Sequence, residues 1–79
     1  EQMEKLVRLI DPLVTVHDLR MVAGPTHTNV IFDVACPFDL KLTDEQVRVA
    51  VKDLVRRLDG NYFAIVTVDR VPMPPTDKA

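Results

Sequence analysis

The chain has little of what small proteins use to hold a fold together from within. Its 79 residues include one cysteine, Cys36, so no disulfide can form within the chain. A chain of this length makes one domain and buries only about 60% of the surface that its unfolded form exposes. Disulfides, a metal or a partner subunit usually stabilise such domains. Because an internal disulfide is excluded, the length favours a domain that associates with a second copy.

The chain also has no large excess of either sign of charge, no long apolar run and no recognisable catalytic motif. Ten basic and 12 acidic residues give a net charge of −2, which is not the balance of a general nucleic-acid binder. No apolar run reaches the length of about 18 residues that spans a membrane, and no signal peptide is visible. The chain has no glycine-rich phosphate loop, nucleophile elbow or His-Glu-x-x-His motif, so we predict that it is not an enzyme.

The spacing of the apolar residues predicts five elements in the order helix, strand, strand, helix, strand. A period near 3.6 marks the helices, and alternation marks the first two strands. The third strand is apolar on both faces, which predicts that both are covered. The predicted ranges are 1–11 for the first helix, 13–23 and 29–36 for the first two strands, about 43–58 for the second helix and 62–69 for the third strand.

Local signals support the ends of these elements. Thr43 and Gln46 have the spacing of a capping box at the start of the second helix. Gly60 follows the helix, and we expect it to take the left-handed conformation that ends many helices. The alternation of the first strand slips at His17 and Asp18, which is typical of a β-bulge.

These elements predict an α+β fold, a ferredoxin-like two-layer sandwich with a three-stranded mixed sheet and two helices on one face. The other face would expose either Val30 and Phe32 or Ile31 and Ala35, depending on the register. An uncovered apolar face of this kind is a surface for self-association. The folded domain is predicted over residues 1–70, and residues 71–79 are predicted to form a proline-rich flexible tail.

Three polar side chains in the strands are candidate metal ligands: His17, Asp33 and Asp69. Each also has a plainer interpretation. His17 could be a partly buried histidine bonded to a neighbour or to Asp18, and Asp33 could form an ion pair with Arg20 across the hairpin. Asp69 could be a solvent-exposed residue at the end of its strand. Both interpretations of each residue stay open on the sequence alone.

Two further features have a plain and a functional interpretation. Cys36 follows apolar residues, so it is expected to be a small buried core residue, with a reactive thiol as the alternative. Arg48, Lys52 and Arg56 recur every four residues and form a basic ridge along the second helix. The ridge is expected to be a solvated face, with binding to an anionic surface as the alternative.

The stretch His17-Asp18-Leu19-Arg20, followed by Gly24-Pro25-Thr26, resembles the C-terminal cytoplasmic domain of cation diffusion facilitator (cation efflux) transporters. That domain has the same order of elements, and the resemblance covers about residues 3–70. It implies a regulatory and dimerisation domain attached to a membrane domain that exchanges divalent cations for protons. The start at Glu1 without a methionine fits a domain cut from such a protein.

The resemblance further implies a homodimer at the cytoplasmic face of the cell membrane, with no nucleic-acid partner. It also implies an optional divalent cation, such as zinc, manganese or iron, although none is required. Of the family's ligand positions only His17 and Asp69 match, and Asp33 stands where related domains have a histidine. Fewer nitrogen ligands favour harder cations over zinc. The alternative function is a stand-alone dimeric α+β domain that senses an amino acid or another small ligand.

Overall fold

The computed structural model describes residues 2–72 and has five elements in the predicted order. The predicted tail of residues 71–79 therefore lies, from residue 73 onwards, outside the described residues. The elements are α1 (Gln2–Val7), β1 (Thr15–Ala23), β2 (Thr28–Pro37), α2 (Asp44–Leu58) and β3 (Tyr62–Val71).

The strands form one mixed sheet in the order β1-β2-β3, which confirms the predicted fold class. β1 and β2 form an antiparallel hairpin, and α2 carries the chain across to β3, which lies parallel to β2. One face of the sheet and the inner faces of both helices form a single core. Its fully buried side chains include Val7, Val14, Val30, Phe32, Val34, Cys36, Val47, Val51 and Val55.

Helix α1 is shorter than predicted and ends at Val7 rather than near Asp11. Met3 and Val7 are buried, as their spacing predicts. Tighter turns follow the helix, because the N–H groups of Leu9 and Ile10 donate to carbonyls three residues back. Ile10 still packs against the core, so the apolar face continues beyond the helix.

Both ends of α2 are fixed by side chains. The Gln46 N–H donates to Thr43 Oγ1 over 3.1 Å, and the Thr43 N–H donates to Gln46 Oε1 over 2.9 Å, which confirms the capping box. The prediction for Gly60 is wrong, because it has no positive φ. Asp59 ends the helix instead in an extended conformation, and its Oδ1 accepts the N–H of Asn61 over 2.9 Å.

The predicted slip in β1 is a β-bulge. His17 lies opposite Asp33 and Arg20 opposite Ile31, so three steps along β1 match two steps along β2. Asp18 takes up the extra residue with a φ of 57°, in the left-handed region that aspartate tolerates better than most residues. The bulge allows residues of opposite parity on its two sides to face the same core.

Strand β3 differs from its prediction in length and in cover. It continues two residues beyond Asp69, so that Arg70 and Val71 belong to the sheet. Its second face is not covered by the described residues, because Phe63 and Ile65 remain 55% and 44% exposed. The expectation that both faces of β3 are covered was therefore wrong. The described helices pack on one face of the sheet only, so the apolar side chains of β3 on the other face stay exposed.

No helix within residues 2–72 is long and apolar enough to cross a membrane.

Candidate functional site on the open face of the sheet

The face of the sheet away from the helices, here called the open face, carries all three predicted ligand residues. The register defines this face, because the buried residues Val30, Phe32, Val34 and Cys36 of β2 all point to the helices. Of the two predicted alternatives, Ile31 and Ala35 are therefore the pair on the open face, where both are half-buried. The open face consists of Thr15, His17, Arg20, Val22, Asn29, Ile31, Asp33, Ala35, Phe63, Ile65, Thr67, Asp69 and Val71.

His17 is exposed and lies directly before the bulge. Its Nε2 lies 2.9 Å from Thr15 Oγ1, two residues back on the same face. The plain interpretation was a partly buried histidine bonded to a neighbour or to Asp18. It is wrong in the burial of the ring and confirmed in the bond to a neighbour, which is Thr15. The ring has only this local partner among the described residues, so its other nitrogen faces solvent and can serve a ligand.

Asp33 lies half-buried at the centre of the open face, between His17 on β1 and Thr67 on β3. The predicted ion pair between Asp33 and Arg20 is not formed among the described residues. The register places Arg20 opposite Ile31, so Arg20 is a diagonal neighbour of Asp33 on the same face and does not lie directly opposite it. Asp33 is thus a carboxylate on an otherwise apolar part of the strand, with an exposed histidine as its cross-strand neighbour.

Asp69 is exposed on β3, opposite Ala35 and one side-chain step along the face from Thr67. His17, Asp33 and Asp69 therefore share a face, but they do not converge at one point. Within residues 2–72, no three His, Cys, Asp or Glu side chains come together as a metal would require. A closed metal centre needs at least three protein ligands, so one copy of this chain does not fit such a centre. Metal binding remains a prediction.

The remainder of the open face is apolar and exposed. Phe63, Ile65 and Val71 on β3 and Val22 on β1 are each more than a third exposed. The Phe63 ring also contacts His27 in the hairpin turn, with ring centroids 5.6 Å apart and the planes tilted by 60°. This combination of apolar side chains with scattered polar groups resembles the surface of a protein interface more than the lining of a catalytic site.

A shallow depression lies on the open face beside the bulge. Its volume is about 570 Å³, and it is open to solvent. Two carboxylates and one guanidinium stand around it, so both signs of charge are present. The lining residues are Asp18, Leu19, Arg20, Ile31, Phe32 and Asp33.

Arg70, which the sequence predicts to lie just beyond the third strand, forms more side-chain hydrogen bonds than any other of the described residues. Its Nε donates to Asp44 Oδ1 over 2.8 Å, at the first residue of α2. Its Nη1 donates to the carbonyls of Pro37 and Leu40 over 3.0 and 3.1 Å, and its Nη2 donates to the carbonyl of Leu42. Arg70 thus ties the loop between β2 and α2 to the end of β3.

Cys36 is fully buried in the core opposite Arg70, which agrees with the plain interpretation of a small core residue. Burial raises the pKa of its thiol above the ordinary value of about 9, and the positive charge of Arg70 offsets only part of that rise. The thiol is therefore protonated and shielded at neutral pH, which is the opposite of a reactive cysteine.

We expect the Cys36 thiol to react with a thiol reagent at neutral pH only as fast as the domain unfolds. Because its pKa is raised on folding, its contribution to stability is complete below about pH 9 and is lost as the pH rises through the folded-state pKa. Urea unfolding between about pH 8 and pH 10 should show that the free energy of unfolding falls more steeply with pH for the parent than for Cys36→Ala. Labelling of the native domain at the rate of the unfolded chain would contradict this.

The open face is therefore a surface with apolar, acidic and imidazole groups, and no three potential metal ligands come together on it among the described residues. What it can do chemically is bury apolar area against another surface and add one or two polar contacts there. No family model, curated protein or solved structure matches the chain.

Proposed function

We propose that this chain is the cytoplasmic regulatory and dimerisation domain of a divalent cation efflux transporter. Cation/proton exchange would be carried out by a membrane domain of the full-length protein. Support comes from the His-Asp-Leu-Arg stretch of β1, the Gly-Pro-Thr turn after it and the order of elements. In this proposal the domain joins two transporter chains on the cytoplasmic side of the membrane.

The single observation that carries the proposal is the uncovered apolar face of the sheet. Phe63 and Ile65 are large apolar side chains, and they stand about half exposed on a regular strand. Their burial against a second copy would stabilise the pair by about 25 cal/mol for each Å² of apolar surface removed from water. A two-fold axis through the open face would bring identical patches together, which is the commonest arrangement of homodimers.

The dimer is expected to form without metal. In one copy His17 lies beside Asp33, and Asp69 lies further along the face. These side chains do not converge on one point, whereas a metal centre needs three or four protein ligands that do. Apolar burial alone is therefore the expected source of affinity. A response to a divalent cation would require a second copy to supply the missing ligands.

Sedimentation of the purified domain in chelator tests the proposal. We expect a dimer, and we expect Ile65→Lys to raise its dissociation constant by about 100-fold, since two-fold symmetry buries two ammonium groups in one interface. Val49→Lys is the matched control, because Val49 is 56% exposed on the outer side of α2. A monomeric parent domain, or equal effects of the two variants, would contradict the proposal.

Repeating the sedimentation with zinc, manganese or iron(II) separates two forms of the function. An unchanged dimer means that dimerisation is constitutive and that His17, Asp33 and Asp69 are surface residues. A dimer that tightens with metal means that the residues of two copies combine into a sensor. In the second case Asp33→Ala should abolish the metal response and leave the dimer in chelator intact.

A second candidate function, a stand-alone sensor of a small ligand, is favoured by the depression beside the bulge. Asp18, Arg20 and Asp33 place carboxylates and a guanidinium around one opening, and an amino acid carries the complementary pair of charges. A rise in melting temperature with amino acids, and none with divalent cations, would favour this candidate over the transporter domain.

A further inference from the structure

The outer edge of β3 offers unpaired backbone groups. The C=O groups of Asn61 and Val71 accept N–H groups from Thr28 and Phe38, on the β2 side. Because successive residues of a strand point their N–H and C=O groups to alternate sides, the odd-numbered residues of β3 pair with β2 and the even-numbered ones point away. Ala64, Val66 and Val68 therefore direct N–H and C=O groups towards an edge that no described strand occupies.

This edge is regular, whereas the opposite edge of the sheet is not. β3 pairs with β2 without a break over ten residues. On β1, the bulge and the left-handed Asp18 interrupt the row of backbone groups in the middle of the strand. Bulges of this kind protect an edge from pairing with another strand. Among the described strands, β3 thus has the edge that is suited to accept a further strand.

Helix α2 places two residues of the predicted basic ridge, Lys52 and Arg56, beside this edge. A cleft of about 100 Å³ lies between helix and strand, and its lining is Lys52, Arg56, Phe63 and Ala64. Neither Lys52 nor Arg56 has an acidic partner among the ion pairs of the described residues. By contrast, Arg48 pairs with Glu45 over 3.1 Å and Arg57 with Asp53 over 3.0 Å.

We propose that the cleft between α2 and the outer edge of β3 binds an extended acidic peptide. The peptide adds a fourth strand to the sheet, and its backbone pairs with Ala64, Val66 and Val68. Its carboxylates lie on the helix side, against Lys52 and Arg56. Recognition by strand addition draws affinity from the main chain and specificity from side chains, and here the specific groups are two cations.

The charges select this occupant over a second copy of the chain. A two-fold arrangement of β3 edges would bring Lys52 and Arg56 of both copies towards each other, which is repulsive. An acidic strand would neutralise the same groups. The edge is directed sideways from the sheet, and Phe63 is the one lining residue of the cleft that also belongs to the open face, so strand addition does not require the proposed dimer.

Fluorescence anisotropy with a labelled peptide of alternating glutamate and valine tests the proposal on the full chain. We expect the variant carrying both Lys52→Gln and Arg56→Gln to bind about tenfold more weakly than the parent. The matched control is Arg57→Gln, which removes a charge from an exposed position paired with Asp53 on the same helix and should change the affinity little. Equal losses for the two variants would overturn the proposal.

Two further probes separate strand addition from attraction of any polyanion. A peptide methylated on alternate backbone nitrogens should lose about tenfold or more in affinity, because it cannot donate to the edge. A single-stranded RNA of equal charge should bind more weakly than the peptide. Undiminished binding of the methylated peptide, or equal binding of the RNA, would overturn the proposal.

Amide hydrogen exchange reports the position of the added strand directly. On addition of the glutamate-valine peptide, the N–H groups of Ala64, Val66 and Val68 should become at least about tenfold more protected. Those of Ile65 and Thr67 face β2 and should change little. Binding without selective protection of the three edge amides would place the peptide elsewhere and overturn the proposal.

Discussion

Arg70→Ala is expected to lower the free energy of unfolding by about 2–4 kcal/mol, because it removes the donor to several loop groups at once. The guanidinium bonds the carbonyls of Pro37, Leu40 and Leu42 and the carboxylate of Asp44, and its side chain is only 19% exposed. A domain of this size is stable by about 4–12 kcal/mol in total. The loss would therefore be a large share of its stability, measurable by urea unfolding.

Two variants make this measurement specific. Arg70→Lys should recover only part of the loss, since an ammonium group cannot reproduce the fork of a guanidinium towards separate acceptors. Arg57→Ala is the matched control, because Arg57 is 74% exposed and pairs with Asp53 in an i,i+4 arrangement on the helix surface. It should cost about 0.5 kcal/mol or less. Equal losses for Arg70→Ala and Arg57→Ala would refute the role given to Arg70.

Phe32→Ala should cost about 3–5 kcal/mol of the free energy of unfolding. Phe32 lies on the central strand with 1% of its surface exposed, and it is the largest of the fully buried side chains. Its removal loses apolar burial and leaves a cavity in the core that the neighbouring valines cannot fill without moving the strands. Urea unfolding of the variant should show a lower midpoint with a similar slope.

Phe63→Ala is the control for this prediction, since it removes the same side chain from the opposite face of the same sheet. Phe63 is 55% exposed, so we expect a loss of stability of about 1 kcal/mol or less under conditions where the domain is monomeric. Its effect should appear instead in the dissociation of the proposed dimer. If both phenylalanine variants lost the same stability as monomers, the assignment of the two faces would be wrong.

Local patterns in the sequence predicted the elements and their order, because each depends on residues a few positions apart. Thr43 and Gln46 identified the start of α2, and the change of parity at His17 and Asp18 identified the bulge. Gly60 was misjudged because the Asp59 side chain forms a turn that ends the helix without a positive φ. Gly60 and Asp59 both favour the end of a helix, and the turn formed by the Asp59 side chain determined the backbone conformation there.

Interactions across strands were predicted less well, because they depend on the register. Placing His17, Asp33 and Asp69 on one face required knowing how three strands align. The ion pair of Arg20 and Asp33 was expected from proximity in the hairpin, but the register places His17 opposite Asp33 and leaves Arg20 diagonal to it. The contacts of Arg70 were missed for a similar reason, since its acceptors lie 26 to 33 residues earlier in the chain.

The bulge at Asp18 also determines which changes in chain length β1 can tolerate. The two halves of the strand are out of phase by one residue, and the left-handed aspartate joins them. A deletion of one residue within either half would turn the core-facing side chains of that half towards solvent. A deletion of Asp18 itself would remove the extra residue of the bulge, and both halves would then keep their faces in one regularly alternating strand. Related sequences with a β1 strand shorter by one residue should therefore lack that residue at the bulge, between His17 and Arg20.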